Sequence, residues 1–403
     1  MRRVLGVMVV MAICAACGGS SAPTEELVFL DSGAELAAFE PRSGVVPFRI
    51  GGTRAATPDG QRVFRAEDGP AGTVLSIVNT ENGMSDGWVR YLDAGLEPRV
   101  ASNDLSVVLM PRRANPNAYA AEGRERTTFV IAREAKERVQ RIELEGNYEP
   151  EAFSTDGRTL FVIEYRPPTK PEVYSVRQLD LASGRITPVP SPDEELQDDM
   201  RGTARTSAMA PDGKRLYTLY NLEMPHPDGT IHRHAFVHVL DLEEKWAHCV
   251  DLPPEFVSAS ESASALAVAP DGGRVYVANR KAGRLAEIDT EAVSLRRTVP
   301  LDLAPDETLS AAASERGLFI GTGRRVVALD QDLRPAGTWR LDRMVAGLQP
   351  SADNRHLYVR IADRLAIVDL QGGTTLTTSS LPGQLTSVVQ LPPVARSGAK
   401  CAC

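Results

Sequence analysis

The chain has 403 residues, 42% of them apolar and 24% charged, and its 45 basic and 53 acidic side chains leave a formal charge of −8. That is long and apolar enough to bury a full core. An acidic chain with no basic stripe argues against nucleic acid as a partner, and five cysteines are too few for a disulfide framework at this length.

The first element is a leader. Arg2 and Arg3 precede an apolar run over residues 4–13, too short to span a bilayer of roughly 30 Å as a helix. It ends in Cys14-Ala15-Ala16-Cys17, which resembles a bacterial lipobox, with Cys14 where leucine is usual. The resemblance implies a signal peptide over 1–16, cleavage after Ala16 and acylation of Cys17. Residues 17–24, with Gly18-Gly19-Ser20-Ser21, read as a lipid-anchored flexible tether. Losing Arg2 and Arg3 takes the formal charge from −8 to −10. The expected location is the extracytoplasmic face of the cell membrane, and the membrane is an expected partner through the anchor.

Residues 25–393 repeat one phrase: a short apolar strand, a turn of the Pro-Asp-Gly type, and a second apolar strand. It reads AATPDGQRVF from Ala55, PEAFSTDGRTLFVI from Pro150, SAMAPDGKRLYTLY from Ser207 and ALAVAPDGGRVYVAN from Ala265. Looser copies turn near Asp104, Glu315 and Asp353. Proline presets φ at the first corner, aspartate bonds its own backbone, and glycine takes the positive φ that closes the hairpin. Each phrase is followed by two more strands, as in VRQLDLASGRITPVP from Val176 and RLAIVDLQGGTTLTTSSL from Arg364. A fixed period of this kind in an all-β chain predicts a β-propeller of four-stranded blades.

With strands named a to d outward from the axis, the turns near Asp59, Asp104, Asp156, Asp212, Asp271, Glu315 and Asp353 each open a complete blade. The N-terminal run ELVFLDSG, AELAAFEPRSG and VVPFRI supplies only b, c and d. Its a strand is available at the other end of the chain, in QLTSVVQLPP from Gln384. The expectation is a ring of eight blades closed by both termini, of about 46 residues each, against roughly 40–50 for known blades. A seven-bladed ring, with one degenerate unit hidden by long loops, is the alternative. Residues 394–403 read as a flexible tail.

The stretch VYVANRKAGRLAEIDTEAVSLRRTVPL from Val275 resembles the YVTN family of bacterial propellers, which are WD-repeat-like in architecture. That resemblance implies a secreted or surface propeller with a binding role.

In a propeller the b–c and d–a loops share the face around the channel mouth. The long ones here are 111–126, 165–172, 188–202, 221–233 and 253–262, all on consecutive middle blades. Function tends to sit on loops carried by a rigid scaffold, so a partner is expected in this sector. The starts of the a strands offer Arg99, Glu149, Glu151, Arg205, Glu261 and Ser262 to the mouth, as ligand-binding groups or as charges that pair with one another. With the overhanging His226, the ligand candidates are Arg99, Glu149, Arg205, His226 and Glu261. His226, His232 and His234 are the metal candidates, because His232 and His234 share a strand face near the loop. His238 and His248 read as core or interblade residues. There is no Gly-X-Ser-X-Gly, P-loop or His-Glu-X-X-His sequence, no catalytic residue is singled out, and no cofactor is implied. The reading is a non-catalytic scaffold that binds a protein or envelope component. A lactonase-like hydrolase or lyase, using charges at the mouth, is the alternative, and a carrier for a metal or redox cofactor is a third.

Overall fold

A computed structural model describes residues 26–113, 122–192, 200, 204–225, 231–258, 263–303, 309–381 and 387–395, with the side chains of 204–205, 222–233, 387 and 389–395 outside that description. Thirty-two strands form eight four-stranded antiparallel sheets. The protein is an eight-bladed β-propeller. Among the described residues helix is limited to short 3₁₀ turns such as Pro254–Phe256, and no helix there is long and apolar enough to cross a membrane.

Blade 1 is built from both ends of the chain. Ser387–Ala395 pairs with Glu26–Asp31, which is followed outward by Glu35–Glu40 and Val45–Gly51. Blades 2 to 8 follow in order over 53–92, 96–145, 147–188, 204–251, 264–300, 309–340 and 345–380. Every a–b hairpin falls where the sequence placed it. Gly60, Gly157, Gly213 and Gly272 take φ between 65° and 71° in the four Asp-Gly turns. Leu105 and Asn354 take the same conformation in two looser copies, at φ 58° and 53°. Where a serine stands two before the aspartate it fixes the carboxylate: Ser154 Oγ and Ser351 Oγ each donate to the aspartate Oδ1 at 2.6 Å.

The core is a ring of eight apolar clusters, one at each blade–blade interface. Blade 1 shows why the inner strands look as they do. Leu27 and Phe29 pack toward blade 2, while Val28 and Leu30 on the other face pack toward blade 8. A strand buried on both faces needs apolar residues at every position, so strands b and c read as continuous runs. The d strands lie at the rim and read as mixed and exposed, as in the burial of Thr375–Ser380.

The c–d turns lie on the same face as the a–b turns, because backbone bonds join the two. Thr80 N donates to Gln61 O, Leu181 N to Arg158 O, and Leu370 N to Arg355 O, all within 3.1 Å. The b–c and d–a loops therefore occupy the opposite face, which is the mouth.

Candidate functional site at the channel mouth

The a strand of each blade is an edge, with one side unpaired toward the channel. That is why Pro98 and Pro150 are tolerated there. Each precedes a β-bulge: the register shifts between Pro98 and Val100 in blade 3, and between Pro150 and Ala152 in blade 4. The extra residues are Arg99 and Glu151. A bulge re-aims its side chain, and both residues line one cavity of about 530 Å³ at the mouth of blades 1 to 4. Asp31, Arg54, Glu97, Arg113 and Glu149 line it as well.

The charges in this cavity are organised in pairs. Arg99 Nη2 lies 2.8 Å from Glu97 Oε1 and donates to Pro111 O at 3.4 Å. Glu149 accepts from Arg113 Nη2 at 3.2 Å and from Arg124 through its other oxygen. Arg54 pairs with Asp31 and donates to Gly52 O at 3.0 Å. Burial pulls the Arg99 guanidinium below its ordinary range, chiefly against the pull of Glu149. Its Nε–H is buried without a hydrogen-bond partner among the described residues.

Two of the long loops are stitched together beside this cavity. The fully buried Asn147 donates through Nδ2 to Glu122 O at 2.7 Å, on the blade 3 loop, and to Pro168 O at 3.0 Å, on the blade 4 loop. Arg124 N also donates to Pro168 O at 2.9 Å. Farther round, Asn221 Oδ1 accepts from Ser258 N at 3.2 Å and Asn279 Nδ2 donates to Phe256 O at 2.7 Å, so the d–a loop after blade 5 is held at both sides. In blade 5 the central hairpin runs far past its neighbours. Arg215–Pro225 and Ile231–Asp241 have 11 residues each, against 6 for the equivalent Arg274–Asn279 and Arg284–Asp289 in blade 6.

The sequence candidates distribute as follows. Arg99 and Glu149 meet in the mouth cavity, and so does Glu151. Arg205 stands opposite Tyr220 by backbone register, with its side chain outside the described residues. Cys17, His226, Glu261 and Ser262 lie outside the described residues. His232 pairs by backbone with Met224, and its side chain is likewise not described. His234 Nε2 is 2.7 Å from Asp251 Oδ1, which fixes its ring to the neighbouring d strand. Among the described residues no three His, Cys, Asp or Glu side chains converge as a metal site. His238 packs edge-on to Tyr220, with ring centroids 6.1 Å apart, and it and His248 line a small interblade gap shared with Ser175 and Arg177 of blade 4. Cys249 beside them is half-buried.

Asp31, Arg54, Glu97 and Arg113 were not foreseen in the mouth. The prolines that mark the bulges point only to Arg99 and Glu151, which the sequence reading already held.

No family model matches the chain, and no curated protein matches it. Solved structures do. Dihydro-heme d1 dehydrogenase NirN, in complex with DHE, is similar at 14% identity with a TM-score of 0.53, covering 89% of this chain and 74% of that one. The Pseudomonas aeruginosa periplasmic gluconolactonase PpgL is similar at 18% identity and a TM-score of 0.41, over 83% of this chain and 99% of that one. BamB from Moraxella catarrhalis is similar at 12% identity and a TM-score of 0.42, over 88% and 91%. At 14% identity the likeness to NirN is one of fold alone. The comparisons do not reach the narrower YVTN assignment.

Proposed function

We propose that this chain is a lipid-anchored, extracytoplasmic propeller of YVTN type, a non-catalytic scaffold that presents the mouth face of blades 3 to 5 to a protein or envelope component. What carries this reading is the asymmetry of that face. The blade 5 hairpin extends 11 residues per strand, whereas blade 7 closes the same corner between Gly317–Thr322 and Arg325–Leu329 with two residues. Loops that had merely drifted would have no reason to be joined by a buried side chain such as Asn147. The chain's own direction adds support. The strand Glu26–Asp31 begins at the turn face and ends in the mouth cavity, so an anchor ahead of Glu26 directs the mouth away from the membrane.

The test is capture from solubilised membranes. The intact chain should retain a partner. A variant with 221–233 replaced by a short turn should lose it while keeping the thermal transition of the parent. Equal capture by both proteins would remove the mouth sector from consideration.

One observation favours the lactonase-like reading: a cavity of about 530 Å³ in which Arg99 and Glu149 meet. Turnover of a lactone panel that disappears in both Arg99→Ala and Glu149→Gln would replace the scaffold reading with this one.

A further inference from the structure

The large exposed apolar side chains among the described residues cluster on one part of the ring. Among the described residues, four of them stand at the start of a rim strand, directly after a c–d turn. They are Val45 of blade 1, Met84 of blade 2, Val139 of blade 3 and Leu376 of blade 8, with exposures of 51%, 67%, 39% and 56%. The remaining large exposed apolar residues are Val89 and Tyr91 on the same rim strand of blade 2, and Met344 just before blade 8. None of the described ones lies on blades 4 to 7. At the corresponding turns of blades 4, 6 and 7 the exposed residues are Arg185, Ser294 and Arg334. In blade 5 the residue at that place is Trp246, which is half-buried with the Arg215 guanidinium 5.4 Å from its ring.

The four blades form a continuous arc. Ser379 Oγ on the blade 8 rim donates to Pro41 O in the blade 1 turn at 3.3 Å. The ring of Phe48 on the blade 1 rim lies against Gly83 in the blade 2 turn, leaving no room for a Cβ there. Arg90 Nη2 on the blade 2 rim donates to Lys136 O in the blade 3 turn at 3.1 Å. All four apolar residues therefore stand at the turn-side ends of neighbouring rim strands.

That face is also where the chain leaves the ring. Glu26 is held at the blade 8 a–b turn by the Ala352 amide, 2.9 Å from Oε1. Eight residues lie between it and Cys17. However they are arranged, nine peptide units reach at most about 30 Å. An anchor at Cys17 thus keeps the turn face of blade 1, inside the apolar arc, within about 30 Å of the lipid. Charges near the arc carry both signs, with Arg42, Lys136 and Arg138 against Glu134 and Glu137, so attraction to an anionic surface is not what would hold it.

We infer that the turn-side edge of blades 8, 1, 2 and 3 is a lipid-contact surface, which lays Val45, Met84, Val139 and Leu376 into the interfacial layer of a phospholipid bilayer. The inference rests on the anchored reading above, and its orientation leaves the mouth facing away from the membrane. Apolar side chains with mixed charges around them suit a neutral lipid interface.

The experiment separates the edge from the anchor. A hexahistidine inserted between Pro23 and Thr24 of the full chain is bound to phosphatidylcholine vesicles containing nickel-chelating lipid. Amide hydrogen exchange is then compared with the free protein. Exchange should slow in Val45–Gly51, Ser85–Leu92 and Thr375–Ser380 and stay unchanged in Ser294–Pro300 and Pro335–Arg340. The double variant Val45→Glu, Met84→Glu should lose that protection while melting like the parent. Protection spread evenly round the ring, none at all, or protection that survives the double variant overturns the lipid edge. Retention of Cys17→Ala in the membrane fraction is scored separately. It bears on the anchor alone, because the nickel tether does not use Cys17.

Discussion

Tyr358 donates its phenolic O–H to Glu26 Oε2 at 3.0 Å, joining a blade 8 strand to the first strand of the ring. The other carboxylate oxygen takes the Ala352 amide. Burial is the main cause that raises the Glu26 carboxyl above its ordinary 4.5. Burial first, and then the Glu26 charge, push the Tyr358 phenol upward. Tyr358→Phe should destabilise the protein by about 1.5–3 kcal/mol, the usual range for a hydrogen bond to a charged group. Glu26→Gln tests the sign of the carboxyl shift. A raised folded-state pKa means the wild type gains stability as pH falls through that value, and has the full contribution below 4.5. The melting temperature of Glu26→Gln relative to wild type should therefore be most favourable at neutral pH and decline on acidification to 4.5. A difference independent of pH would contradict the raised value.

Closure itself can be removed. Ser387–Ala395 covers the inner edge of Glu26–Asp31, and Val388 packs into the cluster between blades 8 and 1. A chain terminated before Gln384 should expose that edge and lose the inner layer of blade 1. The expected result is insoluble protein, or a transition well below that of the full chain in a thermal scan. A truncated protein with an unchanged transition would mean that the ring does not depend on its last strand.

Glu287 in blade 6 is fully buried and surrounded by three guanidinium groups. Arg297 Nε is 2.5 Å from Oε2, and Arg296 and Arg274 lie 3.6 and 3.8 Å from Oε1. The bulge between Glu287 and Ile288 is what lets both Arg296 and Arg297 reach one carboxylate. Removing the charge leaves three cations facing one another around a buried amide. Glu287→Gln should cost about 3 kcal/mol, near the low end for breaking a buried pair because the arginines are partly solvated. Urea unfolding with an unchanged slope would measure it. A loss under about 0.5 kcal/mol, the range of ordinary surface substitutions, would show that solvent already screens the cluster.

The parts of this fold legible in the sequence are those governed by local chemistry. Asp-Gly turns announce themselves because few residues accept the conformation of Gly60 or Gly213. The shared blade followed from a deficit: three N-terminal strands without an inner partner, and one C-terminal strand without a blade. The mouth was only half legible. Arg99 and Glu149 were placed there by position along their strands. Asp31 and Arg54, however, belong to different blades and meet only because the ring brings the end of one strand beside the start of another. The histidine window is legible in part: His238, read as a core or interblade residue, faces Tyr220, and His234 pairs with Asp251, while His226 and the His232 side chain lie outside the described residues.

Glu149 separates the two functional readings. Its side chain is 8% exposed and answers both Arg113 and Arg124. Glu149→Gln keeps the shape and deletes the charge, so two guanidiniums lose their counter-ion beside Arg99. Stability should fall by about 2 kcal/mol, less than for a fully buried pair because Arg113 reaches solvent. The mouth also becomes more positive. If the long hairpin of blade 5 makes the partner contact, capture from membranes should be unchanged in this variant and lost only when 221–233 is trimmed. Capture assays run beside urea unfolding keep a folding defect from passing as a binding defect. The reverse pattern, capture or turnover lost in Glu149→Gln and untouched by trimming, would move the working site from the loops into the cavity between blades 1 and 4.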